Sequence, residues 1–340
     1  MLKTTLKTTE KLTNKQNTQR LRTLLLKTLQ DGEFHSGEYL ATTFGLSRSA
    51  ISNHVKALSE LGVEIFSVKG RGYKLANPIE LLSHSQISRH LGTTVQNKTS
   101  LIQVENLVTS TNDIVKTYLS TCDSGFCCLA EAQSAGRGRR GKTWVSPYAG
   151  SLYCSMLWRF ASGYQAMAGL SLMVGVIVNE TLAEMGIDRC QLKWPNDIYF
   201  NNKKLAGILV EVEGQVGASA SAIIGIGVNV HLPSNVQGIE QAFTDLHDIS
   251  KRSISRNKLA ALLIQNLWQA LALFEKQGMT PFIEQWKEAD LYKNKKIKLI
   301  SGDNNTVGIG RGIDETGALL LELNGKIQAF HGGEISVRSV

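Results

Sequence analysis

Apolar residues recur at helical spacing near the start of the chain. Leu21, Leu24, Leu25 and Leu29 fall on one face of a helix predicted over 19–34. Ser36 can cap a short second helix reaching Thr43, which Gly45 ends. Ser47 caps a third helix to about residue 61, with Ile51, Val55 and Leu58 turned inward. A helix, a tight glycine turn and a second helix make a helix-turn-helix. Two short alternating strands, 63–68 and 73–75, follow and are joined by Lys69-Gly70-Arg71-Gly72. That reads as a β-hairpin with a basic tip, a wing, which Asn77-Pro78 closes.

The pattern then changes. Apolar strands at 102–108, 126–132, 152–158, 191–193, 207–212 and 222–230 alternate with helices at 112–120, 164–185 and 256–277. Several strands follow one another with no helix between them, which predicts a mixed sheet rather than a doubly wound one. Beyond 291 come short strands at 296–300, 307–313, 318–323 and 326–330, separated by glycine turns, which read as a small all-β barrel. The expected fold is therefore α+β in three folded parts. A basic, disordered tail (1–18) precedes a winged helix-turn-helix (19–78), a mixed-sheet α/β domain (79–290) and a small β domain (291–340).

Charge sharpens this division. Residues 1–78 hold twelve Lys/Arg against six Asp/Glu, whereas the rest of the chain holds 25 against 23. The cationic excess sits where a nucleic-acid-binding surface is predicted, although a solvated basic tail would account for part of it. Arg48, Ser49, Ser52, Asn53 and Lys56 occupy the outward face of the third helix, within reach of base edges. Lys69, Arg71 and Lys74 on the wing would meet phosphates, or form a solvated hairpin. Five cysteines, odd in number and without a CxxC pair, argue against a zinc site or a disulfide framework, so no protein-held metal is expected. The stretch 160–179 carries no charge and is long enough to span a bilayer, but its glycines, serines, Gln165 and Asn179 favour a buried helix of a soluble, cytoplasmic protein.

The most distinctive chemistry lies in Gly136-Arg137-Gly138-Arg139-Arg140-Gly141-Lys142-Thr143-Trp144. As a pattern it satisfies both the P-loop and the GxGxxG signatures. Each of those needs a helix straight after the glycines, and Thr143 to Pro147 is β-branched, aromatic and proline-stopped. The dinucleotide fold also needs an acidic residue about 20 positions on, and none occurs between Ala132 and Asn179. Both matches fail. What remains is four cations within six residues, interleaved with glycines. Such a loop suits an anionic, phosphate-bearing ligand, or simply solvent or RNA, and mutual repulsion should leave it poorly ordered when free.

Lys193 sits in an otherwise apolar extended segment, Gln191 to Tyr199, where a buried ammonium needs an anionic partner. Asp197 or a substrate could supply it. Lys204, at the start of the next apolar strand, is a second cation, or an exposed turn lysine. Ser110-Thr111-Asn112 opens a helix, either as a plain N-cap or as a polar cluster for a carboxylate or carbonyl. In Ile224-Gly225-Ile226-Gly227-Val228-Asn229 two glycines allow a ligand or another backbone to come close, and Asn229 forms the polar end.

Taken together and in order, Ser110-Thr111-Asn112, Gly136 to Trp144, Lys193-Trp194-Pro195-Asn196-Asp197, Lys204 to Leu209 and Gly227-Val228-Asn229 resemble the biotin–protein ligases. The N-terminal winged helix and the ending Gly332-Gly333-Glu334-Ile335-Ser336 resemble the bacterial bifunctional form, ligase and biotin-operon repressor, over residues 19–340. The resemblance implies an SH3-like C-terminal barrel and a biotin pocket of Ser110, Thr111, Asn112 and Gln133. Over it would fold Arg137, Gly138 and Arg139, with Lys193 as the catalytic lysine and Arg137 and Arg139 assisting. It implies a nucleotide site bordered by Arg139, Arg140, Trp144, Asn196, Lys204 and Asn229. Biotin and ATP with Mg²⁺ would give biotinyl-5′-adenylate, and biotin would pass to a lysine of the biotin carboxyl carrier protein of acetyl-CoA carboxylase. The adenylate would also drive homodimerisation and operator binding. A lipoate or other acyl-acid ligase, and a metabolite-sensing regulator without ligase activity, are the competing readings.

Overall fold

Helix α1 (Asn14–Leu29) opens the first of two compact units, Met1–Ile79. The computed structural model describes residues 14–214, 218–301, 304–332 and 335–339, so residues 1–13 of the expected tail lie outside them, while residues 14–18 belong to α1. The helix begins and ends five residues earlier than its periodicity suggested. Gly32, at φ +74°, donates its N–H to Leu29 O, and Asp31 accepts from the Glu33 N–H, which turns the chain early. Its inward stripe is Leu25, Leu26 and Leu29, and Leu24 faces solvent.

Helices α2 (Gly37–Phe44) and α3 (Arg48–Glu60) are capped as the sequence indicated, Ser36 Oγ accepting from Tyr39 N and Ser47 Oγ from Ala50 N. Gly45, in the left-handed region, makes the turn between them. Strands β1 (Ile65–Val68) and β2 (Gly72–Leu75) pair antiparallel into the wing. A Cβ on Gly72 would lie 2.0 Å from His35 O, so only glycine lets the wing close against that segment.

The second unit, Glu80–Val340, starts with two short helices, α4 (His84–His90) and α5 (Thr93–Gln96). Its core is a seven-stranded mixed sheet. Strands β3 (Ile102–Val108) and β4 (Cys127–Gln133) are parallel, joined through α6 (Thr111–Thr117). Strands β5 (Ser151–Phe160), β6 (Gln191–Lys193), β7 (Asp197–Phe200), β8 (Lys203–Gly214) and β9 (Ala220–Asn229) complete the order β3-β4-β5-β9-β8-β7-β6, all antiparallel.

Helices α7 (Leu170–Glu184) and α9 (Arg256–Gln277) cover one face, where Met173, Ile177, Leu263 and Leu267 meet the sheet residues Leu129, Met156 and Ile224. The uncharged stretch is therefore a buried core helix. It is also shorter than its apolar run: 164–167 form a 3₁₀ turn, and Gly169 at φ +79° starts α7 afresh. Helix α6 covers the other face, packing Val115 on Cys128, Leu157 and Ile223. Short helices α8 (Leu246–Ser250) and α10 (Ile283–Ala289) follow; like α4 and α5 they are too brief for a periodicity to show.

The C-terminal strands β10 (Lys296–Ser301), β11 (Asn304–Ile313), β12 (Leu319–Leu323), β13 (Lys326–Phe330) and β14 (Ile335–Ser339) form one antiparallel sheet, in the order β13-β12-β11-β10-β14. Among the described residues β13 and β14 are the outer strands of this five-stranded sheet. Strand β14 falls partly on the Gly332–Ser336 motif, of which Gly333 and Glu334 lie outside the described residues.

Candidate active site and nucleic-acid face

The ends of β3 and β4, the start of α6 and the middle of β8 and β9 surround a cleft enclosing about 470 Å³, counting its open mouth. Ser110, Thr111, Asn112, Gln133, Arg137, Gly138, Arg139, Trp144, Asn196 and Lys204, all singled out from sequence, line it together. Ser110 occupies the N-cap position of α6, but its hydroxyl accepts no capping hydrogen bond and stays turned to the cleft. The bland capping role is thus not the one it plays. Thr111 N donates to Gln133 Oε1 at 2.9 Å, and Ser155 Oγ donates to Thr111 Oγ1 or Asn112 Oδ1 at 2.6 Å. These bonds fix the polar floor inside an apolar sheet, where an unpaired group would cost about 1–3 kcal/mol.

The glycines of β8 and β9 make room for side chains rather than backbone. A Cβ on Gly225 would lie 2.5 Å from Asn112 Oδ1, and one on Gly227 would lie 2.5–2.7 Å from the Trp144 indole. Trp144 can therefore lie flat against the sheet, with Lys204 Nζ 5.3 Å from the centre of its ring.

A second, wider cleft of about 1180 Å³ adjoins the first. Lys142, Thr143, Asn229, Phe243 and Arg338 line it, and Trp144 and Lys204 belong to both clefts. Lys204 is no exposed turn lysine: it is only 15% exposed, and its Nζ lies 2.7 Å from Asp197 Oδ1. Lys193 lines neither cleft. It is buried, donates to Tyr199 Oη at 3.2 Å and lies over the rings of Tyr199 and Tyr292. Among the described residues no carboxylate lies within ion-pair distance of it, because Asp197, the partner weighed for it, goes to Lys204. Burial, with the nearby Arg338 cation, pushes its ammonium down to about 8.

The arginine loop is not left loose by repulsion. A backbone bridge between Arg137 and Thr143, with Gly138 N donating to Lys142 O at 2.7 Å, shapes it as a small hairpin. Each arginine also has its own partner. Arg137 reaches Asp113 at 2.7 Å and Glu211 at 3.1 Å, Arg139 donates to Asn196 Oδ1 at 3.1 Å, and Arg140 donates to Ser336 Oγ on β14 at 2.8 Å. Arg140 consequently lines neither cleft and ties the loop to the C-terminal sheet. Sequence reasoning missed Asp113 and Tyr199, which adjoin the motifs it used, and Glu211, Tyr292 and Arg338, which lie in runs with no motif of their own.

In the N-terminal unit, Arg48, Ser49, Ser52, Asn53 and Lys56 are exposed along α3, and Lys69 and Arg71 are exposed on the wing. Arg71 also stacks over the Phe34 ring at 4.3 Å.

Comparison with known proteins agrees with this division. The biotin/lipoate A/B protein ligase family matches residues 104–229, the biotin protein ligase C-terminal domain 293–338, and a helix-turn-helix domain 20–74. The bifunctional ligase/repressor BirA of Escherichia coli K12 is 44% identical over 93% of this chain and 96% of its own length. That of Bacillus subtilis is 30% identical over 90% and 94%. Among solved structures, the biotin protein ligase of Aquifex aeolicus in complex with biotin and ATP superposes with a TM-score of 0.62 at 28% identity, over 70% of this chain and 99% of that one. At 44% identity over nearly the whole length of both chains, with ligase and helix-turn-helix models matching the two units, this chain belongs to the biotin protein ligase family, among its bifunctional ligase/repressor members.

Proposed function

We propose that the protein joins biotin to ATP as biotinyl-5′-adenylate, passes biotin to a lysine of a biotin carboxyl carrier protein, and represses biotin-synthesis genes through its winged helix. One observation carries the catalytic half: the two clefts meet at Trp144 and Lys204. A small acid in the first and a nucleotide in the second would bring carboxylate and α-phosphorus together at that wall.

The first step bonds a carboxylate oxygen of biotin to the α-phosphorus and breaks its bond to the bridging oxygen, releasing pyrophosphate. Two anions must approach, so cations placed beforehand are the main requirement. Lys204 stands at the junction, and Arg139 and Lys142 approach from the loop. Lys193, held between Tyr199 and Tyr292, takes a supporting place, adding positive potential without touching the reacting atoms. Mg²⁺ would shield the phosphates of ATP. Asp197 and Glu240, one at each cleft, offer the one or two hard oxygens that a phosphate-bound Mg²⁺ takes from protein. In the second step the acceptor amine attacks the acyl carbon and AMP leaves. The loop meanwhile shields the mixed anhydride from water. The reading includes a homodimer of the adenylate-bound form and a cytoplasmic setting, in keeping with five free thiols, four of them buried.

Exchange of labelled pyrophosphate into ATP tests the reading. Label should enter ATP with biotin and not with lipoate. Entry with lipoate alone would change the substrate, and none with either would leave a metabolite sensor.

A further inference from the structure

Arg137 is the one member of the loop held by two carboxylates. Its guanidinium meets Asp113 Oδ1, in the first turn of α6, and both oxygens of Glu211, on β8. Neither acid lines the cleft, whereas Arg137 does. Each acid is itself held: Thr109 Oγ1 donates to Asp113 Oδ2 at 2.7 Å, and Asn112 Nδ2 donates to Glu211 Oε2 at 3.1 Å. The resulting chain runs from the end of β3, through α6 and the loop, to β8, and the elements it joins are ones whose residues line the cleft. With two anions against one cation, Arg137 has little charge to spare for a phosphate.

We propose that Asp113 and Glu211 are positioning residues for Arg137. Together they clasp the first limb of the arginine loop at the acid-side cleft and so set how fast the activated intermediate escapes. The inference rests on the ligase reading above. Through the Arg137–Thr143 bridge the clasp also sets the second limb, which carries Lys142 and Trp144 to the other cleft. Asp113 and Arg137 are each 38% exposed, so salt should weaken the clasp.

The experiment loads the whole protein with biotinyl-adenylate formed from biotin and ATP, then measures its release by stopped flow at low and high salt. Asp113→Asn should release it about two- to fivefold faster at low salt, the range one half-exposed ion pair gives. That variant should also have lost most of the salt dependence, and Asp113→Glu should restore both. In the ligand-free protein, trypsin should cut Asp113→Asn faster within 137–140, a readout that needs no activity, and Glu211→Gln should behave alike. A wild-type release rate, salt response and cutting rate in both Asp113→Asn and Glu211→Gln would overturn the clasp alone. Failure of the wild type to form any adenylate, while trypsin still distinguishes the variants, would instead sink the ligase reading.

Discussion

Lys193 and Lys204 divide between them what one buried lysine was expected to do. Lys204 has a carboxylate partner, a tryptophan face and access to both clefts; Lys193 has a phenol, two aromatic faces and access to neither. Lys204→Gln should therefore lower biotin-dependent pyrophosphate exchange by roughly 10²–10³-fold, the usual loss of a group that meets developing charge. Lys193→Gln should lower it less than about tenfold, and the opposite ranking would return the catalytic role to Lys193. Stability makes a separate claim. The folded ammonium titrates at about 8 and the free one near 10.5, so between those values the unfolded chain holds a proton that the folded chain lacks. Wild-type stability must rise with pH across that window. Lys193→Met should thus be more stable than wild type at pH 7, with the advantage shrinking as pH climbs towards 10. A difference in thermal midpoint between variant and wild type that stays the same at every pH would remove the buried-charge argument.

Strand β9 shows how an element is written for a site instead of for itself. Glycines weaken a strand, yet Gly225 and Gly227 face Asn112 and the Trp144 indole across gaps that no Cβ would fit. Gly227→Ala should push the indole off the shared wall, raising KM for ATP and shifting tryptophan emission. The fold should survive, since overpacking of this size costs about 1–3 kcal/mol. An unchanged KM would mean that Trp144 does not seat the nucleotide. The glycines themselves were legible in the sequence, and so were the caps at Ser36 and Ser47, because each states a local backbone requirement. What they made room for was not legible. Trp144 is 83 residues from Gly227, and Glu211 is 74 from Arg137, so no spacing rule connects them. The same holds for the loop: its repulsion could be read from four cations within six residues, but not the acids on α6 and β8, or the Asn196 amide in the turn before β7, that absorb it. Fold class came through where periodicity ran long, as in α7, α9 and the apolar strands, and failed at the short helices α4, α5, α8 and α10.

At the scale of the whole molecule, charge and chemistry are distributed between the units. The first 78 residues carry most of the net charge, and the second unit holds both clefts. The exposed row on α3 sets the short polar Ser49, Ser52 and Asn53 between the cations Arg48 and Lys56, suited to base edges, while the wing tip is cationic, suited to phosphate. These surfaces should fail in different ways. Asn53→Ala should cost about 1–3 kcal/mol on DNA from upstream of biotin-synthesis genes and almost nothing on scrambled DNA, relaxing specificity. Lys69→Ala should weaken both DNAs alike and reduce the salt slope by about one. Lys69 is the cleaner wing residue, because Arg71 already spends part of its guanidinium on Phe34. Neither change touches a cleft residue, so biotin-dependent exchange should stay at its wild-type rate in both. Anisotropy titrations over a salt series decide the matter. If Lys69→Ala altered discrimination and left the slope intact, the wing would be reading sequence, and the division of labour between helix and hairpin would have to be reversed.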